Sequence, residues 1–268
     1  MKRLGLALSG GGARGAAHTG VLRVLSREGI PVHCIAGTSS GAIVGAFYSA
    51  GAPPEKQLAF AQKLRWRSVR MLGIPRLGFF HTGELERLLV EALGDLHFMD
   101  LAIPLAVVAT DFRTARPVVF REGRVAPAVA ASGAIPIIFS PVRLGDMVLV
   151  DGGLSDNLPA GLAREMGADV VLGVNVISEF NEARHFNSFF DIALGTLDLM
   201  TKASTEAGAA ACDMCLRPLT AGRNPSDLGR TPEMVAEGEA AMIRVLPRLR
   251  ELLAGTPDSR LANEPPAR

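Results

Sequence analysis

Ser39 is the residue whose surroundings point most clearly to chemistry. It lies in the sequence Gly-Thr-Ser-Ser-Gly at residues 37–41, a G-x-S-x-G pattern between an apolar run and a helical segment. A nucleophile on such a strained strand-to-helix turn needs small residues two positions to either side, because larger ones would collide with the helix. The alternative is a serine-rich helix cap without a catalytic role. We predict that Ser40 is the N-cap of the following helix and that Ser39 is the nucleophile. The strand–turn–helix context favours Ser39 as a nucleophile.

A glycine-rich segment, Gly-Gly-Gly-Ala-Arg-Gly at residues 10–15, follows the first apolar run. Its backbone N–H groups could point at an anion near a helix N-terminus. A dinucleotide site would need an acidic residue at the end of the second strand, but Glu28 precedes that strand. No Lys-Ser or Lys-Thr follows the glycines, which excludes a nucleotide phosphate loop. The segment therefore predicts an oxyanion hole, with a simple tight turn as the alternative.

Asp151 ends the apolar run 147–150 and precedes two glycines. Asp-Gly also serves in ordinary turns. Open α/β sheets bind ligands at the carboxyl ends of their strands, so we expect Asp151 and Ser39 to meet at that edge. Burial beside Val148 and Val150 should raise the pKa of Asp151 above its ordinary value of about 3.9, which favours reaction at neutral to alkaline pH.

Serine hydrolases usually contain a histidine, but no histidine here has a convincing context. Four of the five lie in or beside predicted elements: His18, His33, His81 and His97. Only His185 follows Asp151 and so completes the order Ser…Asp…His. Its surroundings, residues 179–187, are polar and typical of a solvated loop. The sequence therefore leaves a two-residue Ser–Asp site.

The elements that must position these residues alternate between apolar runs and helical patterns, which predicts an α/β fold with a largely parallel sheet. The predicted strands are 4–9, 33–37, 105–110, 117–120, 147–150 and 169–176. The predicted helices are 16–27, 40–50, 53–64, 82–93, 189–211 and 232–253. The apolar stripe of the last helix indicates a core position. We expect a single domain over residues 1–254 and a disordered tail over 255–268.

The three motifs in this order resemble the patatin-like phospholipase family, in particular its short single-domain bacterial members. Residues 131–136 and 139–141 add to the likeness, which spans about residues 5–180. The resemblance implies a three-layer α/β fold, with a mostly parallel central sheet and helices on both faces. It implies hydrolysis of acyl esters of phospholipids, lysophospholipids or glycerides by a Ser–Asp dyad. By motif, Ser39 would be the nucleophile and Asp151 the base. The oxyanion hole would comprise Gly10, Gly11 and Gly12, and Arg14 would bind substrate. An acyltransferase and a non-catalytic regulatory protein of the same fold are the alternatives.

Composition limits the partners. The 28 basic and 27 acidic residues nearly balance, which argues against a nucleic-acid binder. The three cysteines cannot form a disulfide framework, and no 18-residue apolar run is present, so we expect a cytoplasmic protein. Cys212 and Cys215 form a C-x-x-C without a second pair and are interpreted as incidental thiols. The sequence predicts neither a metal nor a cofactor.

Residues 56–83 contain six basic residues and no acidic one, and the basic residues alternate with apolar and aromatic ones such as Trp66. This pattern suits peripheral contact with an anionic membrane, with Trp66 at the interface. A mobile cover over an acyl pocket, or a loop packed on the protein body, would fit the pattern equally well.

Overall fold

The computed structural model describes residues 2–63, 80–177, 189–218 and 228–255 of the 268. Within these ranges the strands are β1 (Leu4–Leu8), β2 (Val32–Thr38), β3 (Leu105–Asp111), β4 (Arg116–Phe120), β5 (Val142–Leu144), β6 (Met147–Asp151), β7 (Val170–Val174) and β8 (Met214–Leu216). The α-helices are α1 (Ala16–Arg27), α2 (Ser40–Ser49), α3 (Pro54–Lys63), α4 (Thr82–Leu93), α5 (Val125–Ser132), α6 (Ala160–Glu165), α7 (Phe189–Ala210) and α8 (Thr231–Ala254).

The strands form one sheet in the order β5-β6-β3-β2-β1-β7-β8, and β4 also pairs with β3. The pairings among β3, β2, β1, β7 and β8 are parallel, whereas β4 and β6 run antiparallel to β3, and β5 antiparallel to β6. The sheet is thus mixed and mostly parallel, as predicted. Every residue of β1 is buried, which explains why its sequence is apolar without alternation.

Helices cover both faces of the sheet, and alternate strand residues contact different layers. Leu6 and Ile35 belong to the core shared with α1, α2, α4, α5 and α8. Their neighbours Ala7 and Ala36 face the opposite way and pack with α6. The predicted three-layer architecture is therefore confirmed.

Helices α1 and α8 cross so closely that side chains are excluded at the crossing. A Cβ atom on Gly20 would lie 2.0 Å from the Val235 carbonyl oxygen, and one on Gly238 would lie 1.9 Å from the Ala17 carbonyl oxygen. The apolar stripe of α8 is buried, which confirms its predicted core position. This crossing holds the last described helix against the first one.

The sequence prediction matches the bounds of α1 and α4 and misses four short elements: α5, α6, β5 and β8. Two of these are three-residue strands, too short to show alternation. The predicted strand 169–176 is shorter, Val170–Val174. Several predictions concern segments outside the described residues: the tail 256–268, His185 and most of the basic, aromatic stretch.

Candidate active site

Ser39 occupies the turn between the end of β2 and the start of α2. Its backbone has φ 53° and ψ −120°, a conformation that a residue with a side chain adopts only under constraint. Ser39 stands at the N-cap position and Ser40 is the first helical residue, so the prediction of Ser40 as the N-cap is wrong. The Ser39 side chain makes no capping hydrogen bond, which leaves its hydroxyl group available for other chemistry.

The glycines of the G-x-S-x-G pattern are required by close packing. A Cβ atom on Gly37 would lie 2.8 Å from the Gly41 carbonyl group, and one on Gly41 would lie 2.2 Å from the Leu8 carbonyl oxygen. Both distances are shorter than a nonbonded contact permits. The elbow is therefore pressed against the end of β1, and any larger residue at either position would displace Ser39.

Ser132, at the end of α5, fixes the elbow. Its hydroxyl group accepts the Ser39 N–H at 2.8 Å and donates to the Val108 carbonyl oxygen at 2.5 Å. Two residues on, the Ala134 carbonyl oxygen accepts the Asp151 N–H at 2.9 Å. One segment thus holds the backbone of both dyad candidates. Ser132 was not among the predicted site residues, although a serine in an otherwise apolar helix was a signal that could have indicated it.

Asp151 reaches Ser39 by a different route from the one predicted. Two residues at the carboxyl ends of strands were expected to meet at one edge of a parallel sheet, but β6 is antiparallel to β3. Thr38 pairs with Val108, and Asp151 pairs with the next residue, Ala109. Because β4 occupies the opposite edge of β3 along both stretches, β2 and β6 share one edge and run towards each other. The nucleophile turn and the carboxylate therefore meet where two strands end.

The Asp151 carboxyl group is buried and only partly satisfied. Its Oδ1 atom accepts the Gly153 N–H at 2.8 Å. Its Oδ2 atom is buried and has no hydrogen-bond partner among the described residues. Burial raises the pKa of Asp151 from 3.8 to about 6, against the lowering effects of the Ser39 hydroxyl and the Gly153 N–H. The rise has the direction and cause predicted from the sequence, and it brings the titration of this carboxyl group close to neutral pH.

The first glycine of the loop differs from the other two. The Gly10 N–H is donated to Asn157, with distances of 3.3 Å to its carbonyl oxygen and 3.2 Å to its Oδ1 atom. It is therefore already bonded, which corrects its prediction as an oxyanion donor. A Cβ atom on Gly10 would lie 3.1 Å from the Ser39 Cβ atom, so Gly10 instead provides room for the serine. The candidate donors that are left are Gly11 and Gly12.

Arg14 is buried rather than directed to solvent. Its Nε atom donates to the Gly11 carbonyl oxygen at 3.1 Å, and its Nη2 atom lies 2.7 Å from Asp198 Oδ1 on α7. The guanidinium group thus binds the protein's own loop and helix, and the role of Arg14 in substrate binding stays a prediction. Asp198 was missed in the sequence, where it reads as one polar residue of a long helix.

All six predicted site residues line one cavity: Ser39, Asp151, Gly10, Gly11, Gly12 and Arg14. Its volume is about 10 Å³, the space of about one water molecule. Ile135, Leu194 and Leu197 form an apolar wall. This wall presents an apolar surface beside Ser39, and a cavity of this volume has no room for an acyl chain.

No histidine lies among the described residues that line the cavity. The His18 ring is fully buried, and its Nε2 atom donates to the Ser9 carbonyl oxygen at 2.9 Å. Burial lowers the pKa of His18 to about 4, so the ring is neutral and supports the end of β1. The His185 alternative lies outside the described residues.

The fold and the site define a patatin-like protein, and comparison with known proteins agrees. The sequence profile described as patatin-like phospholipase matches residues 6–164, more than half of the chain. The chain belongs to the patatin-like phospholipase family.

Among curated relatives, lysophospholipase nte1 of Aspergillus fumigatus is 33% identical over 181 residues, covering 65% of this chain and 12% of that protein. An uncharacterized NTE family protein of Mycobacterium tuberculosis is 34% identical over 177 residues, covering 65% of this chain and 49% of that protein. The chain thus spans less than half of the length of either relative.

Two solved structures share the fold. VipD from Legionella pneumophila aligns with a TM-score of 0.57 and 16% identity, covering 92% of this chain and 67% of that chain. ExoU, in its complex with SpcU from the type III secretion system of Pseudomonas aeruginosa, aligns with a TM-score of 0.52 and 18% identity. That alignment covers 94% of this chain and 52% of ExoU.

Proposed function

We propose that this chain is a serine lipid acyl hydrolase that cleaves carboxylic ester bonds of phospholipids, lysophospholipids or related acyl esters. The observation that carries the proposal is the strained Ser39 turn beside the buried Asp151 carboxylate in one cavity. Family membership and the similarity to the Aspergillus relative, which is named as a lysophospholipase, support the substrate class.

The proposed reaction is a two-step acyl transfer. Asp151 accepts the Ser39 hydroxyl proton as Ser39 Oγ attacks the ester carbonyl carbon. The tetrahedral intermediate collapses, the ester C–O bond breaks, and the leaving alcohol takes the proton from Asp151. Water then attacks the acyl-serine while Asp151 accepts its proton. The second collapse returns that proton to Ser39 and releases the carboxylic acid.

The N–H groups of Gly11 and Gly12 would stabilise the negative charge on the tetrahedral intermediate. A donor of this kind contributes about 3–4 kcal/mol to transition-state stabilisation. In a trans peptide the carbonyl and the following N–H point in opposite directions, so the Arg14 bond to the Gly11 carbonyl also fixes the direction of the Gly12 N–H. Arg14 and Asp198 would therefore act as positioning residues.

Peripheral contact with an anionic membrane through residues 56–83 stays a prediction, because the structure describes only 56–63 and 80–83 of that stretch. None of the helices, over the residues described, is long and apolar enough to cross a membrane.

Labelling with a fluorophosphonate probe tests the nucleophile. We expect Ser39 to be labelled in the wild type and label to be absent from Ser39→Ala.

Asp151→Asn should lower hydrolysis of a short-chain nitrophenyl ester at least about a thousandfold with unchanged circular dichroism. His185→Ala is the matched control and should keep its activity. An active Asp151→Asn enzyme would refute the dyad and restore His185 as the candidate base.

A further inference from the structure

Cys212 and Cys215 lie where α7 ends and β8 begins. Cys212 follows the last residue of α7 by two positions, and Cys215 is the middle residue of β8. The parallel register pairs Cys215 with Gly173 of β7, and paired residues of adjacent strands project to the same face of a sheet. A Cβ atom on Gly173 would lie 2.4 Å from Cys212 Sγ. The two cysteine side chains therefore converge on one face of the sheet, beside Gly173.

The two thiols contact each other as well as the backbone. The Cys212 thiol donates to the Gly208 carbonyl oxygen at 3.2 Å and is also in hydrogen-bond contact with Cys215. Both side chains pack against the apolar cluster on the α6 side of the sheet. Two sulfur atoms in such contact can form a disulfide through a modest rotation of their side chains. The missing side chain at Gly173 provides the space for them.

The two thiols differ in reactivity, and both differ from the third cysteine. The hydrogen bond from Cys212 and the positive charge of Arg217 lower the pKa of Cys215, against the effect of burial. The same hydrogen bond raises the pKa of Cys212. Cys34 is fully buried, and burial raises the pKa of its thiol to about 11. Cys215 is thus a partly exposed thiol that ionises more easily than the other two, with Cys212 next to it.

We propose that Cys212 and Cys215 form a redox site in which a hydroperoxide oxidises the two thiols to a reversible disulfide. This role replaces the interpretation of the pair as incidental thiols. It is independent of the proposed lipid hydrolysis, because Ser39 and Asp151 take no part in it. Transient disulfides of this kind serve as redox sensors in proteins of reducing compartments.

The reaction has two steps. The Cys215 thiolate attacks the terminal oxygen of the hydroperoxide, the O–O bond breaks, and the leaving oxygen takes a proton from solvent. Cys215 is then a sulfenic acid. The Cys212 sulfur attacks the Cys215 sulfur, the S–O bond breaks, and the Cys212 thiol proton leaves with the hydroxide as water. The two cysteines lose two electrons, which the hydroperoxide gains, and a dithiol reductant reverses the reaction by thiol–disulfide exchange.

The test maps thiol oxidation in the full chain. Reduced protein is treated with a small excess of hydrogen peroxide, and free thiols are blocked with iodoacetamide. Its peptides are then analysed by mass spectrometry, with and without dithiothreitol. We expect a peptide in which Cys212 and Cys215 form an internal disulfide that dithiothreitol converts back to two thiols, while Cys34 stays reduced.

Single variants assign the two roles. Cys212→Ser should stop at the sulfenic acid of Cys215, which dimedone traps. Cys215→Ser should react with peroxide about tenfold more slowly or worse, because the Cys212 thiol ionises less readily. Cys34→Ala is the matched control and should form the disulfide at the wild-type rate. Circular dichroism checks that each variant is folded.

Free Cys212 and Cys215 thiols after peroxide treatment would overturn the inference, as would oxidation of Cys34 at an equal rate. A disulfide that links two chains, seen as a reducible dimer on a gel, would also overturn it. Bound Zn²⁺ that shields both thiols in the reduced protein would assign the pair to a metal site instead.

Discussion

Asp151 is a carboxylate held where its charged form is disfavoured. Its folded-state pKa of about 6 lies above the ordinary value of 3.8, so the folded protein binds this proton more tightly than the unfolded chain does. The associated stability is fully present below about pH 4 and is lost as the pH rises towards 6. At neutral pH the folded protein with an ionised Asp151 therefore carries a free-energy cost of roughly 3 kcal/mol at most.

Asp151→Asn should accordingly unfold at higher denaturant concentration than the wild type at pH 8, because the amide cannot ionise. The difference should shrink towards zero near pH 4. Urea titrations at the two pH values measure this difference. Asp169→Asn is the contrasting control, since Arg3 lowers the pKa of that exposed carboxyl group to about 2. Equal stability of Asp151→Asn and the wild type at pH 8 would argue against a strained carboxylate.

Ser132 is a second residue whose effect on activity can be separated from its effect on folding. Ser132→Ala leaves the Ser39 N–H without a partner, which should destabilise the protein by about 1–3 kcal/mol. Activity should fall through kcat, because the elbow loses its position and the cavity keeps its shape. Ser49→Ala is the matched control, since the Ser49 hydroxyl is buried without a hydrogen-bond partner in the described structure. Identical kinetics in the two variants would remove Ser132 from the positioning of Ser39.

At the scale of elements, α7 contacts the glycine loop through the buried Arg14–Asp198 ion pair and the Asp151 loop through the Ser204 hydroxyl group. Removing one partner of such a pair leaves an uncompensated charge and typically costs 3–5 kcal/mol, whereas replacing both by apolar residues is often neutral. Asp198→Leu alone should therefore lower the melting temperature strongly, and the double variant Arg14→Met/Asp198→Leu should recover most of that loss. The double variant should still show a reduced kcat, because nothing then orients the Gly11–Gly12 peptide. Thermal melts together with steady-state kinetics measure both quantities, and full activity in the stable double variant would exclude the positioning role.

At the scale of the whole molecule, positive and negative charges nearly balance, so the pKa of each group is set mainly by its immediate surroundings. The formal net charge is +1, so no strong overall field shifts every titration together. We expect kcat/KM for a soluble ester to rise with pH and to reach half of its plateau near pH 6, as Asp151 ionises. Burial also raises the pKa of Asp156 to about 6, so Asp156→Asn should be tested in parallel and should retain the same profile. A profile that moves with Asp156→Asn would assign the titration to that residue.

Much of the fold could be predicted from the sequence, because α1, α4 and α8 are long and their apolar residues repeat at helical spacing, and because β1 is uniformly apolar. The site motifs were accessible because G-x-S-x-G and Asp-Gly-Gly are contiguous. The direction of β6 was not accessible, since apolar alternation carries no information about strand polarity. The hydrogen bond of the Gly10 N–H could not be predicted from the neighbouring sequence either, because its partner Asn157 lies 147 residues away.

The end-to-end meeting of β2 and β6 has a mechanical consequence. Thr38 and Asp151 pair with consecutive residues of β3, so the offset between the start of the Ser39 turn and Asp151 along the sheet follows the rise of one strand residue, about 3.3 Å. The register of β2 and β6 on β3 therefore sets this offset, although β3 itself contributes no candidate catalytic side chain. The helices around the sheet can shift, and loops can change in length, without altering that interval. A one-residue insertion between Val108 and Ala109 would change this offset without replacing Ser39 or Asp151.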